Sequence, residues 1–343
     1  MTENFWLGMV IVFAGGLLNG SFPLPMKYAR WRWENTWLIF ALVALIIIPW
    51  ALAGGFVPSL GEVYYRTPTR VLFYPLFFGF LWGIAQTTFG IGLKALGMAL
   101  AFSIVAGLGA LVGSVLPPII LNPSGLFRPR GLLLIASLPI LLAGLYLYAK
   151  AGRRRDSEKS STASSDDVGN ISFAAGLGIC IFTGVVGTCW NLGFALSGGL
   201  IAKSAEMGAS QATAGYAVWP LLLGMGAIPN LLYCGYLLTR NKGWGLFAGQ
   251  GWARELFLGA AMGVLWLSGI VTYGYGTTLV GKYGTSVGFA LFVSAVILAS
   301  NTLGILTGEW KGTAPLTRRL LYAGVGVIIL SVIVLSLGGL FSA

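Results

Sequence analysis

The chain's most constraining feature is the recurrence of apolar runs of about 20 residues from one end to the other. As a helix, each run is long enough to cross a hydrocarbon core of about 30 Å. Lipid cannot satisfy backbone N–H and C=O groups, so a run of this kind has to be helical. Only 9% of the 343 residues are charged, against roughly 25% in soluble domains. The sequence therefore predicts an all-α polytopic membrane protein.

Ten candidate spans are separated by charged residues or by Pro and Gly breaks. They are expected at about 5–26, 36–56, 71–96, 98–121, 131–150, 171–202, 212–238, 253–279, 284–307 and 316–339. A Ser-rich, charged segment between the fifth and sixth spans is typical of a flexible linker. The predicted organisation is a first five-helix unit at 1–150, a linker at 151–170 and a second five-helix unit at 171–343.

The basic residues predict the orientation of these spans. Most of the 21 Lys and Arg residues fall in loops on the same side as the linker. The positive-inside rule then puts the linker in the cytoplasm and both termini on the periplasmic side of a bacterial inner membrane. The net charge of +11 needs no nucleic-acid partner, because no soluble domain carries a basic patch with aromatics.

Glycine patterns indicate an internal repeat. Gly79-x-x-x-Gly83 in the third span is matched by Gly259-x-x-x-Gly263 in the eighth. Two further matches, FGIG with YGYG and GMALAF with GTSVGF, follow in the same order. Five crossings are an odd number, so a second copy enters from the opposite face, which predicts two inverted five-helix repeats with a substrate site near the midplane. Chance is the alternative, because the chain contains 51 glycines.

Polar side chains at membrane depth are costly, so they tend to face a partner or a wet cavity. Some tryptophans lie well inside spans, where a flat ring with one N–H suits the C–H face of a sugar. Amides and hydroxyls can bind the sugar's OH groups. Interhelical hydrogen bonding and core packing are the alternative roles. The candidate substrate-binding residues are Asn19, Ser21, Phe22, Trp82, Gln86, Thr87, Thr188, Trp190, Asn191, Trp219, Trp266, Tyr273 and Asn301.

The acidic residues all fall in loops or near span ends, with none at a clear midplane position. Glu34 stands among cations and is predicted to be a local ion-pair partner, with a proton-coupling or gating role as the alternative. Lys27, Lys94 and Glu309 are the other candidates for proton coupling or gating.

Pro23 and Pro25 should break or kink the first span, because each lacks an N–H. Tryptophans near span ends are predicted to be interfacial anchors. They are Trp6, Trp31, Trp33, Trp37, Trp50, Trp244, Trp252 and Trp310.

The sequence lacks the residues that several functions would need. The chain has no histidine and only ten scattered acids, so no metal site and no cofactor are expected. An enzyme would need a nucleophile, base or metal constellation, which disfavours catalysis. The residues favour a transporter, either an importer of a neutral sugar or an exporter or facilitator of another small metabolite, over a membrane enzyme or a structural subunit.

Seven segments resemble the L-rhamnose/proton symporters of the drug/metabolite transporter superfamily. They are PMKYARWRWENTW, IIPWALAG, FGFLWGIAQTTFGIGLKALGMALA, SVLPPII, GFALSGG, MGAIPNLLYC and GEWKG. They occur in order over nearly the whole chain, and the third-span block is the most specific. The resemblance implies ten helices in two inverted repeats, taking up L-rhamnose or a related monosaccharide with a proton or another cation by alternating access.

Overall fold

The computed structural model describes residues 5–121, 128–160, 171–280 and 288–337, which form helices and turns without a β-strand. The α-helices are α1 (Phe5–Ser21), α2 (Trp33–Leu42), α3 (Ile48–Phe56), α4 (Leu60–Arg66), α5 (Thr69–Leu96), α6 (Met98–Leu121), α7 (Pro129–Ser160), α8 (Phe173–Val186), α9 (Cys189–Leu196), α10 (Gly198–Glu206), α11 (Trp219–Arg240), α12 (Trp252–Val280), α13 (Phe289–Leu306) and α14 (Pro315–Leu337).

Within these residues, eight helical segments are long and apolar enough to cross a membrane. Two shorter apolar helices, Met98–Gly109 and Leu291–Leu306, coincide with the fourth and ninth expected spans. An all-helical, multi-pass membrane protein is thus confirmed, and the count of ten spans stays a prediction.

Two expected spans are interrupted. The predicted break at Pro23 is confirmed, because α1 ends at Ser21 and a 3-10 helix follows at Leu24–Tyr28. The sixth span, expected to be continuous, is instead divided into α8, α9 and α10. The Ser197 hydroxyl, at the second interruption, donates to the Gly193 carbonyl at 2.6 Å, which gives a carbonyl at the end of α9 a local partner.

The helix of the fifth expected span, α7, is longer than the apolar run that predicted it. The segment from residue 151 was predicted to be linker, but α7 continues to Ser160. Arg155 is buried, donates to the Leu96 carbonyl at 3.1 Å and lies 5.1 Å from the centre of the Trp310 ring. Packing and hydrogen bonding therefore hold the basic turns helical. Residues 161–170 of the predicted linker lie outside the described residues.

The chain divides into two compact units, each built from both halves of the sequence. Unit one comprises 1–21, 88–185 and 268–343, and unit two comprises 22–87 and 186–267. In unit one, α7 packs against α14, and α13 packs against α1 and α6. A Cβ added at Gly16 would lie 2.5 Å from the Phe292 carbonyl oxygen of α13, so the small residue permits this approach.

In unit two, two glycine pairs bring helices together. Cβ atoms added at Gly79 and Gly83 of α5 would lie 2.2 and 2.3 Å from carbonyl oxygens of α11. Cβ atoms added at Gly259 and Gly263 of α12 would each lie 2.8 Å from side chains of the second span, Ile39 and Val43. Both matched Gly-x-x-x-Gly pairs thus serve close helix packing.

Two tryptophans predicted to be interfacial anchors are instead buried. Trp37 is fully buried and its indole N–H donates to Asn230 at 2.8 Å. Trp310 is 2% exposed and lies beneath Arg155. The prediction used only their positions near span ends, whereas their burial depends on neighbouring helices that cover them.

Candidate substrate-binding site

Three tryptophans of unit two, Trp82, Trp190 and Trp266, form a compact aromatic group that we call the tryptophan cluster. Their ring centres are 5.2 Å apart for Trp82 and Trp190, 5.8 Å for Trp82 and Trp266, and 6.2 Å for Trp190 and Trp266. Helices α5, α9 and α12 each contribute one ring. All three had been singled out in the sequence, and the fold brings them together.

Gly226 and Asn230 of α11 fix the position of Trp82. A Cβ added at Gly226 would lie 2.8 Å from the Trp82 ring. Any larger residue would therefore displace the ring. The Asn230 amide donates to the carbonyls of Gly83 at 3.1 Å and Gly226 at 2.9 Å, and its oxygen accepts the Trp37 N–H. Asn230 is completely buried and has three partners, so it acts as scaffold.

Gln86 lies one helical turn beyond Trp82 on α5, which places the two side chains on the same face. Its side chain is 6% exposed. Its Nε2 atom is buried without a hydrogen-bond partner among the described residues. Leaving a buried donor unpaired costs about 1–3 kcal/mol. An unsatisfied amide nitrogen one helical turn from Trp82 is therefore the strongest indication of a polar ligand in unit two.

Three other polar candidates of unit two have different surroundings. The Thr87 hydroxyl donates to the Gly83 carbonyl at 2.9 Å within α5. Thr188 is 5% exposed and occupies the residue preceding α9. Asn191, on α9, is exposed. Of these three side chains, Thr87 has a local partner and Asn191 presents its amide at the surface of the chain.

Two aromatic candidates lie in other aromatic groups. Phe22 is 1% exposed and stacks on Phe40 at 5.1 Å. Phe40 in turn lies 6.3 Å from Trp266, which connects Phe22 to the tryptophan cluster through one ring. Trp219 packs against Tyr216 at 4.6 Å, at the beginning of α11.

The remaining candidates, Asn19, Ser21, Tyr273 and Asn301, belong to unit one. Asn301 is buried in a network in which the Tyr148 hydroxyl donates to its oxygen, and its amide donates to Ser103 at 3.1 Å. Ser21 donates to the Leu17 carbonyl at 2.6 Å, and the Tyr273 ring lies 4.5 Å from Phe292. Asn19 is half-buried in α1.

The four candidates for coupling or gating also differ. Glu309 accepts the backbone N–H groups of Met98 at 2.9 Å and Ala99 at 3.2 Å, so it caps the N-terminus of α6. Lys27 and Lys94 are exposed. Glu34 is 4% exposed and accepts the Asn241 amide at 2.8 Å. Its predicted ion pair is absent among the described residues, because this amide takes the place of a cation.

Sequence reasoning missed Phe40 and Gly226, which border the tryptophan cluster. Phe40 sits in an apolar run like many others and carried no signal. Gly226 belongs to the segment MGAIPNLLYC, in which a glycine and an asparagine stand at helical spacing. That spacing could have indicated a close helix contact, although not which ring it would meet.

Comparisons with known proteins cover almost the entire chain. The family described as L-rhamnose-proton symport protein (RhaT) matches residues 1–341. Three relatives are each named L-rhamnose-proton symporter. They come from Mannheimia succiniciproducens (24% identical), Pectobacterium atrosepticum (25%) and Cronobacter sakazakii (23%), and each match covers 98% of this chain and 99% of the relative.

Proposed function

The chain belongs to the L-rhamnose-proton symport protein family, and from that membership we propose that it imports L-rhamnose or a related monosaccharide together with a proton by alternating access. Full-length similarity to proteins named for this activity supports the proposal.

The observation that carries the proposal is the Gln86 Nε2 atom, which is buried without a partner among the described residues, one helical turn from Trp82 of the tryptophan cluster. A deoxy sugar has an apolar C–H face and several hydroxyl groups. Aromatic faces suit the C–H bonds, and the Gln86 Nε2 can donate to a hydroxyl oxygen. We assign sugar contact to Trp82, Gln86, Trp190 and Trp266, with Thr188 and Asn191 as further polar candidates on the same unit.

The proposed fold is ten helices in two inverted repeats, the drug/metabolite transporter arrangement. Equivalent helix pairs support it. In unit two, α5 meets α11 through Gly79 and Gly83, and α12 meets the second span through Gly259 and Gly263. In unit one, α1 packs on α13, and Gly184 of α8 would place a Cβ 2.7 Å from Leu108 of α6. Exchanging the two halves of the sequence interconverts the members of each set.

Binding by the purified protein tests the proposed function. The measurement is calorimetric titration of the detergent-purified protein with L-rhamnose and a panel of hexoses and deoxyhexoses, followed by counterflow in proteoliposomes. We expect a saturable heat and counterflow with L-rhamnose or a close relative. Absence of binding by every sugar at millimolar concentration would overturn the sugar assignment.

Gln86→Leu tests the proposed site. The change removes the donor while keeping a side chain of similar size, so the affinity for the sugar should fall roughly tenfold. Gln250→Leu, at an exposed loop position, is the matched control and should leave binding unchanged. Unaltered affinity in a folded Gln86→Leu protein would remove Gln86 from the site.

A further inference from the structure

Glu34 is a buried acid on unit two, in the first turn of α2. Its Oε1 accepts the Asn241 side-chain amide at 2.8 Å, and no other hydrogen bond to it is present among the described residues. The nearby Arg32 is engaged elsewhere, because its guanidinium donates to the Asn241 carbonyl. Of the residues that the structure describes, a neutral donor is therefore the one hydrogen-bond partner of Glu34.

The other described acids with partners bind a cation or accept backbone N–H groups. Glu62 and Glu206 form exposed ion pairs with Arg66 and Lys203. Glu255 is buried, but it pairs with Arg254 and accepts two backbone N–H groups of the loop after α1. Glu158 and Glu309 each accept a backbone N–H from the start of another helix. Protonating any of these would weaken an ion pair or a helix cap, whereas protonating Glu34 breaks no ion pair.

The surroundings of Glu34 suit a group that changes charge. Burying a lone carboxylate is costly, while the N-terminus of α2 and the Asn241 amide favour the charged form. The neighbouring Asn35 is fully buried, and its Oδ1 has no partner among the described residues. The Asn241 amide can donate to a Glu34 oxygen whether or not the carboxyl group carries a proton.

The ionisable groups around Glu34 come from its own segment and from helices α11 and α12. On α11, Tyr233 and Cys234 are within electrostatic reach of Glu34. In its own segment Lys27 is exposed, and the Arg32 guanidinium bonds to a backbone carbonyl. From α12, Glu255 is neutralised by Arg254. Among the described acids of unit two, Glu34 is the buried one that has no cation bound to it.

We infer that Glu34 is the carboxyl group that carries the proton during sugar uptake. Loading forms an O–H bond on a Glu34 oxygen and breaks an O–H bond of hydronium, leaving water. Release reverses these changes on the cytoplasmic side, and no electron is transferred. The inference rests on the proposed symport, and it names the residue through which the proton gradient would drive sugar accumulation.

Glu34→Gln separates coupling from sugar transport. The amide can still accept from Asn241 but cannot cycle a proton. In proteoliposomes, the variant should retain sugar binding and counterflow and lose sugar-induced pH change. With one proton per sugar, wild-type accumulation should rise about tenfold per unit of pH gradient, and the variant should show no dependence on the gradient. Glu62→Gln, at an exposed ion pair, is the control that should keep coupling.

Three results would overturn the inference: normal sugar-induced pH change in Glu34→Gln, loss of sugar binding in the folded variant, or loss of coupling in the Glu62→Gln control. Failure of all sugars to bind the wild-type protein would instead refute the proposed function.

If Glu34→Gln does not fold, wild-type protein can be treated with a hydrophobic carbodiimide. This reagent adds to a protonated buried carboxyl as an N-acylurea. Mass spectrometry should find the adduct on Glu34, and an unmodified Glu34 would overturn the inference.

Discussion

The Tyr148 hydroxyl is the centre of a buried network in unit one. It donates to the Asn301 oxygen and accepts from Ser103 at 3.0 Å, and the ring is fully buried. Asn301 also donates to Ser103 and to the Ile297 carbonyl. The hydroxyls of Tyr148 and Ser103 and both polar atoms of the Asn301 amide therefore have partners within the protein. This favours a structural role for Asn301 over sugar contact.

Tyr148→Phe should consequently destabilise the protein without changing its affinity for sugar. Loss of the hydroxyl leaves the Asn301 oxygen buried and short of a donor, at a cost of about 1–3 kcal/mol. Thermal unfolding in detergent and sugar titration together measure both effects. Tyr65→Phe, at a position that is 89% exposed, should be silent in both assays. A drop in affinity for Tyr148→Phe at unchanged stability would contradict the structural role.

At the scale of elements, the C-terminal extension of α7 is tied to the start of α14. The Thr317 hydroxyl and the Ala314 N–H donate to the Glu158 carboxylate at 2.7 and 2.9 Å. These hydrogen bonds, led by that from Thr317 and assisted by the charge of Arg154, lower the pKa of Glu158. The charged form is thus favoured by folding.

Acid should release this contact between α7 and α14. Because the pKa of Glu158 is lower in the folded protein, its stabilising effect is fully present above the ordinary carboxyl pKa. It is lost as pH falls through the folded-state pKa. Thermal unfolding followed from about pH 7 to pH 3 should therefore show a shallower acid dependence in Glu158→Gln than in wild type. Glu206→Gln, in an exposed ion pair, should keep the wild-type slope, and equal slopes in all three proteins would exclude this role of Glu158.

For the whole molecule, the proposed inner-membrane topology makes a prediction about loops. With Cys180, Cys189 and Cys234 replaced by Ala, Ser164→Cys should react with an impermeant maleimide only from the cytoplasmic side. Ser59→Cys, between α3 and α4, should react only from the periplasmic side, because the basic loops face the cytoplasm. Labelling of both positions from one side would contradict the orientation and the pairing of five-helix repeats.

The sequence by itself determined the helical membrane class, the approximate place of the eight segments long enough to cross a membrane, and the break at Pro23. These follow from local causes, namely the length of an apolar run and the missing N–H of proline. Tertiary structure decided which polar groups were left unpaired. Within the described part of the chain, Glu34 lacks its expected cation, both polar atoms of the Asn301 amide are hydrogen-bonded, and the Gln86 Nε2 has no partner. Hydrogen bonding and burial depend on residues distant in the chain, so no local pattern could distinguish these three.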